Sequence, residues 1–149
     1  MKLLFLIFFL FSFRALASLG DREDSIQRDS AAMKGVRRNA TTPAGKNFTV
    51  REIQNGGNTI KEFLSPQGVI FAVSWRGLSH PDLSILLGSY FNEYKNSRAA
   101  LQKKKGRSAK IQVQSNNIVV EHSGHMRDVR GRAYIPNLIP NNVSVEDLQ

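Results

Sequence analysis

Apolar residues recur among polar ones over residues 48–64, and a short polar stretch divides this segment into two runs. Both halves are rich in β-branched and aromatic residues, which favour strands. Asn55-Gly56-Gly57-Asn58 separates them, and its glycines allow the positive φ angles of a tight turn. This pattern predicts a β-hairpin. The apolar run Val69–Val73 predicts a third strand that is covered on both faces.

A second hairpin is predicted nearer the end of the chain. Residues 109–114 alternate strictly, Asn116-Asn117 can form a turn, and residues 118–122 continue the pattern. Val129–Ile135 alternates again and predicts a sixth strand. The chain beyond Pro136 is interrupted by proline and predicts an extended tail that covers the domain.

Between the hairpins the apolar spacing changes to the period of a helix. Ser79 and Asp82 match a capping box, Pro81 suits the first turn, and Gly106 can end the helix. We therefore read Gly77–Asp82 mainly as a structural joint, with Trp75 as a core residue and His80 as the residue least explained by structure. One broad apolar stripe is expected to pack on the sheet: Leu83, Leu86, Leu87, Tyr90, Phe91, Tyr94 and Leu101.

Together these elements predict an α+β fold. Residues 48–149 are expected to form a single domain in which an antiparallel sheet of about five or six strands carries one long amphipathic helix on one face. Residues 18–47 are polar and predict a surface segment, which admits one short helix from Asp24 or Ser25 to Gly35.

The first 17 residues have the pattern of a secretory signal peptide. Lys2 precedes a short apolar run, and Ala15-Leu16-Ala17 suits cleavage between Ala17 and Ser18. The run has roughly 11 residues, about half the length of a membrane-spanning helix, so an uncleaved anchor is the less favoured alternative. We therefore expect export to the periplasm or the cell exterior, with no transmembrane segment after cleavage. The sequence contains no cysteine, which excludes disulfides and a cysteine nucleophile.

The chain is strongly basic, with 21 Lys and Arg against 12 Asp and Glu and a formal charge of +9. Such an excess favours anionic partners, although it also serves solubility alone. Strand alternation is expected to bring four cationic residues onto the sheet face away from the helix: Arg51, Lys110, Arg130 and Arg132. An anionic envelope polymer or lipid headgroup is the expected partner. Nucleic acid fits poorly with export and with the few aromatic residues on that face.

The best cluster of chemically reactive side chains is EHSGHMRD, which contains His122, His125 and Asp128. If Ser123-Gly124 bends tightly, these side chains could bind a transition metal, but in an extended strand His122 and His125 point to opposite faces. Familiar hydrolase, metalloprotease and phosphate-binding motifs are absent from the sequence. We therefore predict neither a cofactor nor a catalytic residue, and keep an enzyme or metal-binding protein that uses His80, His122 or His125 as the alternative.

Several strings resemble a bacterial family of exported proteins catalogued as domain of unknown function 2844. They are FTVREI, GGNTIKEFLSPQGVIFAVSWRG, PDLSILLGSYFNEY, SGHMRDVRGRAYIPNLIP and VSVEDLQ. Leu78 stands where the family pattern usually has proline. The resemblance covers residues 48–149 and implies an exported bacterial protein, without any activity or site residue to transfer.

The expected function is therefore that of a non-enzymatic envelope or secreted binding protein for an anionic envelope component. Besides the enzyme or metal-binding alternative, an assembly protein that docks a protein partner through a sheet edge is a further possibility.

Overall fold

A computed structural model describes residues 19–23, 31, 34–42, 44–105 and 110–149. Four predicted features lie outside the described residues. They are the signal peptide, its cleavage between Ala17 and Ser18, most of the short helix predicted between residues 24 and 35, and the helix end at Gly106. Within the described residues, no helix has the length and apolar character needed to span a membrane.

One antiparallel sheet organises the described chain. Its strands are β1 Val36–Asn39, β2 Thr49–Asn55, β3 Asn58–Leu64, β4 Ile70–Gly77, β5 Lys110–Gln114, β6 Val119–His125 and β7 Asp128–Tyr134. The strand order is β1-β2-β3-β4-β7-β6-β5. Strands β1 to β4 pair in sequence order, as do β5 to β7, and the pairing of β4 with β7 joins these two halves.

The α+β class is confirmed, but the predicted count of five or six strands is too low. The described sheet has seven strands, and the additional one, β1, lies in the segment predicted to be only polar surface. All four residues of β1 are exposed. Because an edge strand can be held by backbone pairing alone, here with β2, its sequence VRRN shows no apolar alternation.

The predicted long helix is divided into α1 Leu83–Leu87, a 3-10 turn Gly88–Tyr90 and α2 Phe91–Lys105. The division falls at Gly88, whose φ of 47° departs from helical backbone. The predicted capping box is wrong, because α1 begins at Leu83 and Ser79 is too far away to cap it. Asp82 caps it instead by accepting a hydrogen bond of 2.9 Å from the Ser84 N–H.

Apolar residues cover both faces of the sheet. The helices pack on one face, which we call the helix face, and bury a core that includes Ile60, Val73, Trp75, Leu86 and Val120. On the opposite face, which we call the tail face, residues 136–149 cover a second core that contains Phe48, Phe63, Phe71, Tyr134 and Leu148. Strand β4 is buried from Ile70 to Trp75, which confirms the expectation of a strand covered on both faces.

Candidate functional site

Basic side chains from several strands meet on the tail face, beside the C-terminal tail. Lys110 pairs with Ser123, and Arg132 pairs with Glu121, so strand alternation directs these side chains to one face together with Arg130. They line a groove of about 800 Å³. Five basic residues define this cationic groove: Lys61, Arg76, Lys110, Arg130 and Arg132.

Carboxylates neutralise part of the charge in the cationic groove. Arg132 binds Glu121 at 2.7 Å and also donates a 2.7 Å hydrogen bond to the Val145 carbonyl, so it joins β7 to the tail. Arg130 binds Asp128 at 2.8 Å, and this bond is the main reason why the pKa of Asp128 lies below its ordinary value. Asp128 also lies 3.9 Å from Arg76. The described lining of the groove itself contains five Lys and Arg residues and one carboxylate side chain, Glu121, so its formal charge is positive.

Arg51 does not join the cationic groove, contrary to our expectation. It pairs with Glu62 in the β2–β3 register and lies on the helix face with Ile53, whereas Val50 contributes to the second core. Its guanidinium binds Glu23 at 2.7 Å. The structure therefore brings together Lys110, Arg130 and Arg132 and separates Arg51 from them.

The histidines of EHSGHMRD do not converge. Strand β6 continues from Val119 to His125 without a bend at Ser123-Gly124, so His122 lies on the helix face and His125 on the tail face. His125 is paired instead with Asp128 across the β6–β7 turn. A metal site that uses both His122 and His125 is thus not formed. In the part of the chain that the structure describes, no group of three or more His, Asp or Glu residues could hold a metal ion.

His122 instead meets the other histidine that the sequence left unexplained. The rings of His80 and His122 lie edge to face with centroids 5.1 Å apart. The Tyr94 hydroxyl is 3.3 Å from His122 Nε2, and Arg98 Nη1 donates to that hydroxyl at 3.4 Å. We call the cavity around these four residues the histidine pocket.

A side-chain clamp holds the loop that carries His80. Asn58 donates from Nδ2 to the Ser79 hydroxyl and accepts from the Ser79 N–H, both at 3.2 Å. Gly77 passes so close to Asn58 that a Cβ atom there would lie 2.1 Å from Asn58 Oδ1. The joint predicted at Gly77–Asp82 therefore exists, and it also positions a residue of the histidine pocket.

Burial keeps both imidazoles of the histidine pocket uncharged at neutral pH. It is the largest cause that lowers the pKa of His122 to about 4, followed by repulsion from His80 and from Arg98. The pKa of His80 is also lowered, first by burial and then by Arg98. Burial raises the pKa of Tyr94. The pocket thus combines two neutral imidazoles, a protonated phenol and a permanent guanidinium charge.

These shifts predict an acid-sensitive fold. Because the pKa of His122 is about 4 when folded and 6.5 ordinarily, the unfolded chain takes up more protons between these values. The contribution of His122 to stability is therefore present above pH 6.5 and lost as the pH falls toward 4.

We expect NMR titration to place the His122 midpoint near 4, and Arg98→Gln to raise the midpoints of both His122 and His80. The control Lys103→Gln, on the exposed side of α2, should leave both midpoints unchanged.

A family model described as protein of unknown function (DUF2844) matches residues 15–148. The chain belongs to this family. No curated protein and no solved structure matches this chain. The matched residues include the five basic residues of the cationic groove and the whole lining of the histidine pocket, and the family description assigns no role to either site.

Several site residues were missed at the level of sequence. The sequence pattern does not identify Arg76, because the predicted third strand ends at Val73, whereas β4 extends to Gly77. It places Tyr94 in the apolar stripe, and the stripe does not predict the contact of the Tyr94 hydroxyl with His122. The spacing of Tyr94 and Arg98, four residues apart on a helix, was a signal that could have joined them.

Proposed function

We propose that this DUF2844 protein is an exported, non-enzymatic bacterial protein whose cationic groove binds an anionic component of the cell envelope. The observation that carries the proposal is a groove of about 800 Å³ with five basic residues on one sheet face. Arginine guanidinium groups suit this task because they bind phosphate, sulfate or carboxylate through two parallel hydrogen bonds.

The distribution of charge favours a polymer or an array of headgroups over a single small anion. The basic residues come from β3, β4, β7 and β5, and the groove spans the five adjacent strands from β3 to β5. With strands about 4.8 Å apart, this width is roughly 20 Å. A ligand with several negative charges along such a length can contact them together.

Export supports an envelope ligand. The expected signal peptide would carry the protein to a compartment where anionic lipids and acidic polysaccharides are available partners. Single-stranded nucleic acid is disfavoured because binding proteins for it stack bases on exposed aromatic rings. Trp75 and His122 are the aromatic residues among those that line the described groove, and they are only 3% and 8% exposed.

The test is to measure binding of the purified protein to lipopolysaccharide, an acidic polysaccharide and DNA at low and physiological salt. Arg76→Gln with Arg130→Gln removes two charges whose side chains are 72% and 55% exposed, so the fold should tolerate the change. We expect at least about tenfold weaker binding to the preferred envelope anion, because charge-assisted hydrogen bonds contribute about 1.5–3 kcal/mol each.

A matched double variant, Lys34→Gln with Lys103→Gln, removes the same charge at exposed positions outside the groove. It should bind nearly as tightly as the wild-type protein. Equal weakening by both double variants would contradict a defined groove and would show that only net charge matters. Binding to all three anions that disappears at physiological salt would lead to the same conclusion.

A further inference from the structure

The histidine pocket is a second cavity, distinct from the cationic groove. The two sites open on opposite faces of the sheet, because the side chain of Glu121 lies on the tail face and that of His122 on the helix face. His122 is the one residue that lines both. The pocket has a volume of about 450 Å³, which suits a small molecule. Its lining consists of His80, Pro81, Asp82, Leu83, Phe91, Tyr94, Lys95, Arg98 and His122.

The lining carries an excess of positive charge. Lys95 and Arg98 are basic, and among the described residues neither forms a salt bridge. Arg98 Nε is buried without a hydrogen bond in that part of the chain. The acidic residue of the lining, Asp82, already accepts hydrogen bonds from the Ser84 N–H and hydroxyl. The pocket therefore offers a guanidinium and an ammonium group to an anion.

Polar and apolar groups divide the lining. His80, His122 and Tyr94 present ring nitrogens and a hydroxyl beside Arg98. Leu83 and Phe91 provide apolar surface and pack on the helix-face core. A pocket of this kind selects a ligand that has a charged head and an apolar body, because the head then contacts the basic and polar side chains and the body contacts the apolar ones.

We propose that the histidine pocket binds a small organic anion, a carboxylate or a phosphate monoester, with an apolar body. Arg98 and Lys95 hold the anionic head, and Leu83 and Phe91 contact the body. The neutral imidazoles and the Tyr94 hydroxyl provide hydrogen bonds to the head. This proposal is independent of the one for the cationic groove, because the two sites share His122 but no Lys or Arg.

Anion binding in this pocket is coupled to protons. A bound negative charge favours the charged imidazolium forms of His80 and His122, which burial and Arg98 otherwise disfavour. Their pKa values should rise in the complex, so the ligand binds more tightly as the pH falls and these imidazoles take up protons. The other titratable groups that face the pocket are Asp82, Tyr94, Lys95 and Arg98.

The experiment is an NMR titration of the ¹⁵N-labelled protein with benzoate at pH 7.0 and 5.5 and with phenyl phosphate. We expect the imidazole signals of His80 and His122 to shift in a saturable manner. Benzoate, which stays ionised at both pH values, should bind more tightly at pH 5.5; phenyl phosphate takes up a proton in this range and is compared at pH 7.0 only. Benzamide, an uncharged analogue of benzoate, should bind at least about tenfold more weakly, since it lacks the charge-assisted bonds. A response to only one of the two anions supports the proposal and identifies the head group.

Substitutions test whether the anion binds in the histidine pocket. Arg98→Gln should weaken binding at least about tenfold, Arg98→Lys should restore part of it, and Lys103→Gln should leave it unchanged. If Arg98→Gln disturbs the fold, Lys95→Gln provides the test, because Lys95 is exposed. The proposal is overturned if neither anion shifts the imidazole signals, or if benzamide binds as tightly as benzoate.

Discussion

Leu148→Ala is expected to destabilise the protein by about 3 kcal/mol, although the residue belongs to a tail with little regular structure. Leu148 is 0% exposed and packs in the second core with Phe48, Phe63 and Phe71. Truncation would leave a cavity among aromatic rings that are already in contact, since the ring centroids of Phe48 and Phe63 are 5.7 Å apart. Truncation of a buried leucine to alanine usually lowers the free energy of unfolding by about 2–5 kcal/mol.

Denaturant-induced unfolding of the wild-type protein and the variant measures this loss. The tail provides its own control, because Leu138→Ala is the same substitution at a site that is 40% exposed. It should cost less than about 1 kcal/mol. If the two variants lose equal stability, then Leu148 does not anchor the tail on the sheet.

The packing of Leu148 also matters for the proposed function, because it helps to hold the tail beside the cationic groove. Leu148 and Gln149 line the cationic groove, and Lys61 donates a 2.9 Å hydrogen bond to the Gln149 carbonyl. The tail is held further by Lys46, whose ammonium lies 2.8 Å from Asp147. The second core therefore fixes one wall of the groove.

Local patterns in the sequence predicted most of the regular structure. The hairpin β2–β3 follows from two runs of β-branched and aromatic residues around a Gly-Gly turn, and β5–β6 from alternation around Asn116-Asn117. The apolar stripe Leu83–Leu101 predicted the helical region, and Val69–Val73 predicted a strand with both faces covered. These features depend on residues that are close in sequence, so a single chain suffices to detect them.

The faces of β2 were harder to predict. Val50 belongs to the second core and Ile53 to the helix-face core, so apolar residues mark both faces of the same strand. Alternation shows which residues share a face but does not say which face meets the helix. Arg51 was consequently placed on the tail face, whereas it lies on the helix face beside Glu23.

The histidine pocket could not be derived from local pattern. Its two imidazoles meet only because β4, which leads to His80, pairs with β7, and β7 pairs with β6, which carries His122. Strand order across the two halves of the sheet leaves no periodic signal in the sequence. The sequence leaves His80 unexplained and suggests His125 as the partner of His122, because those two histidines are close along the chain.

Gly131→Val is expected to destabilise the protein by at least about 3 kcal/mol, at the upper end of the usual cost of overpacking. Gly131 pairs with Trp75 across β4 and β7, and the indole ring lies against it. A Cβ atom at Gly131 would be 2.3 Å from Trp75 Cζ2 and 2.7 Å from the Glu121 carbonyl oxygen. The ring cannot avoid it without leaving the core, because Trp75 is buried among Ile60, Val120 and their neighbours.

Fluorescence adds a local readout to unfolding measurements, because the sequence contains one tryptophan. The emission of Gly131→Val should move to longer wavelength as the Trp75 indole meets water. His122 pairs with Gly131 on the other side, so the His122 titration midpoint should rise in the same variant if burial is what lowers it.

Arg130→Ala is the control, since the Arg130 side chain leaves the opposite face of the same strand, and this variant should change the free energy of unfolding by less than about 1 kcal/mol. Wild-type emission together with wild-type stability in Gly131→Val would show that the Trp75 ring does not pack on this glycine.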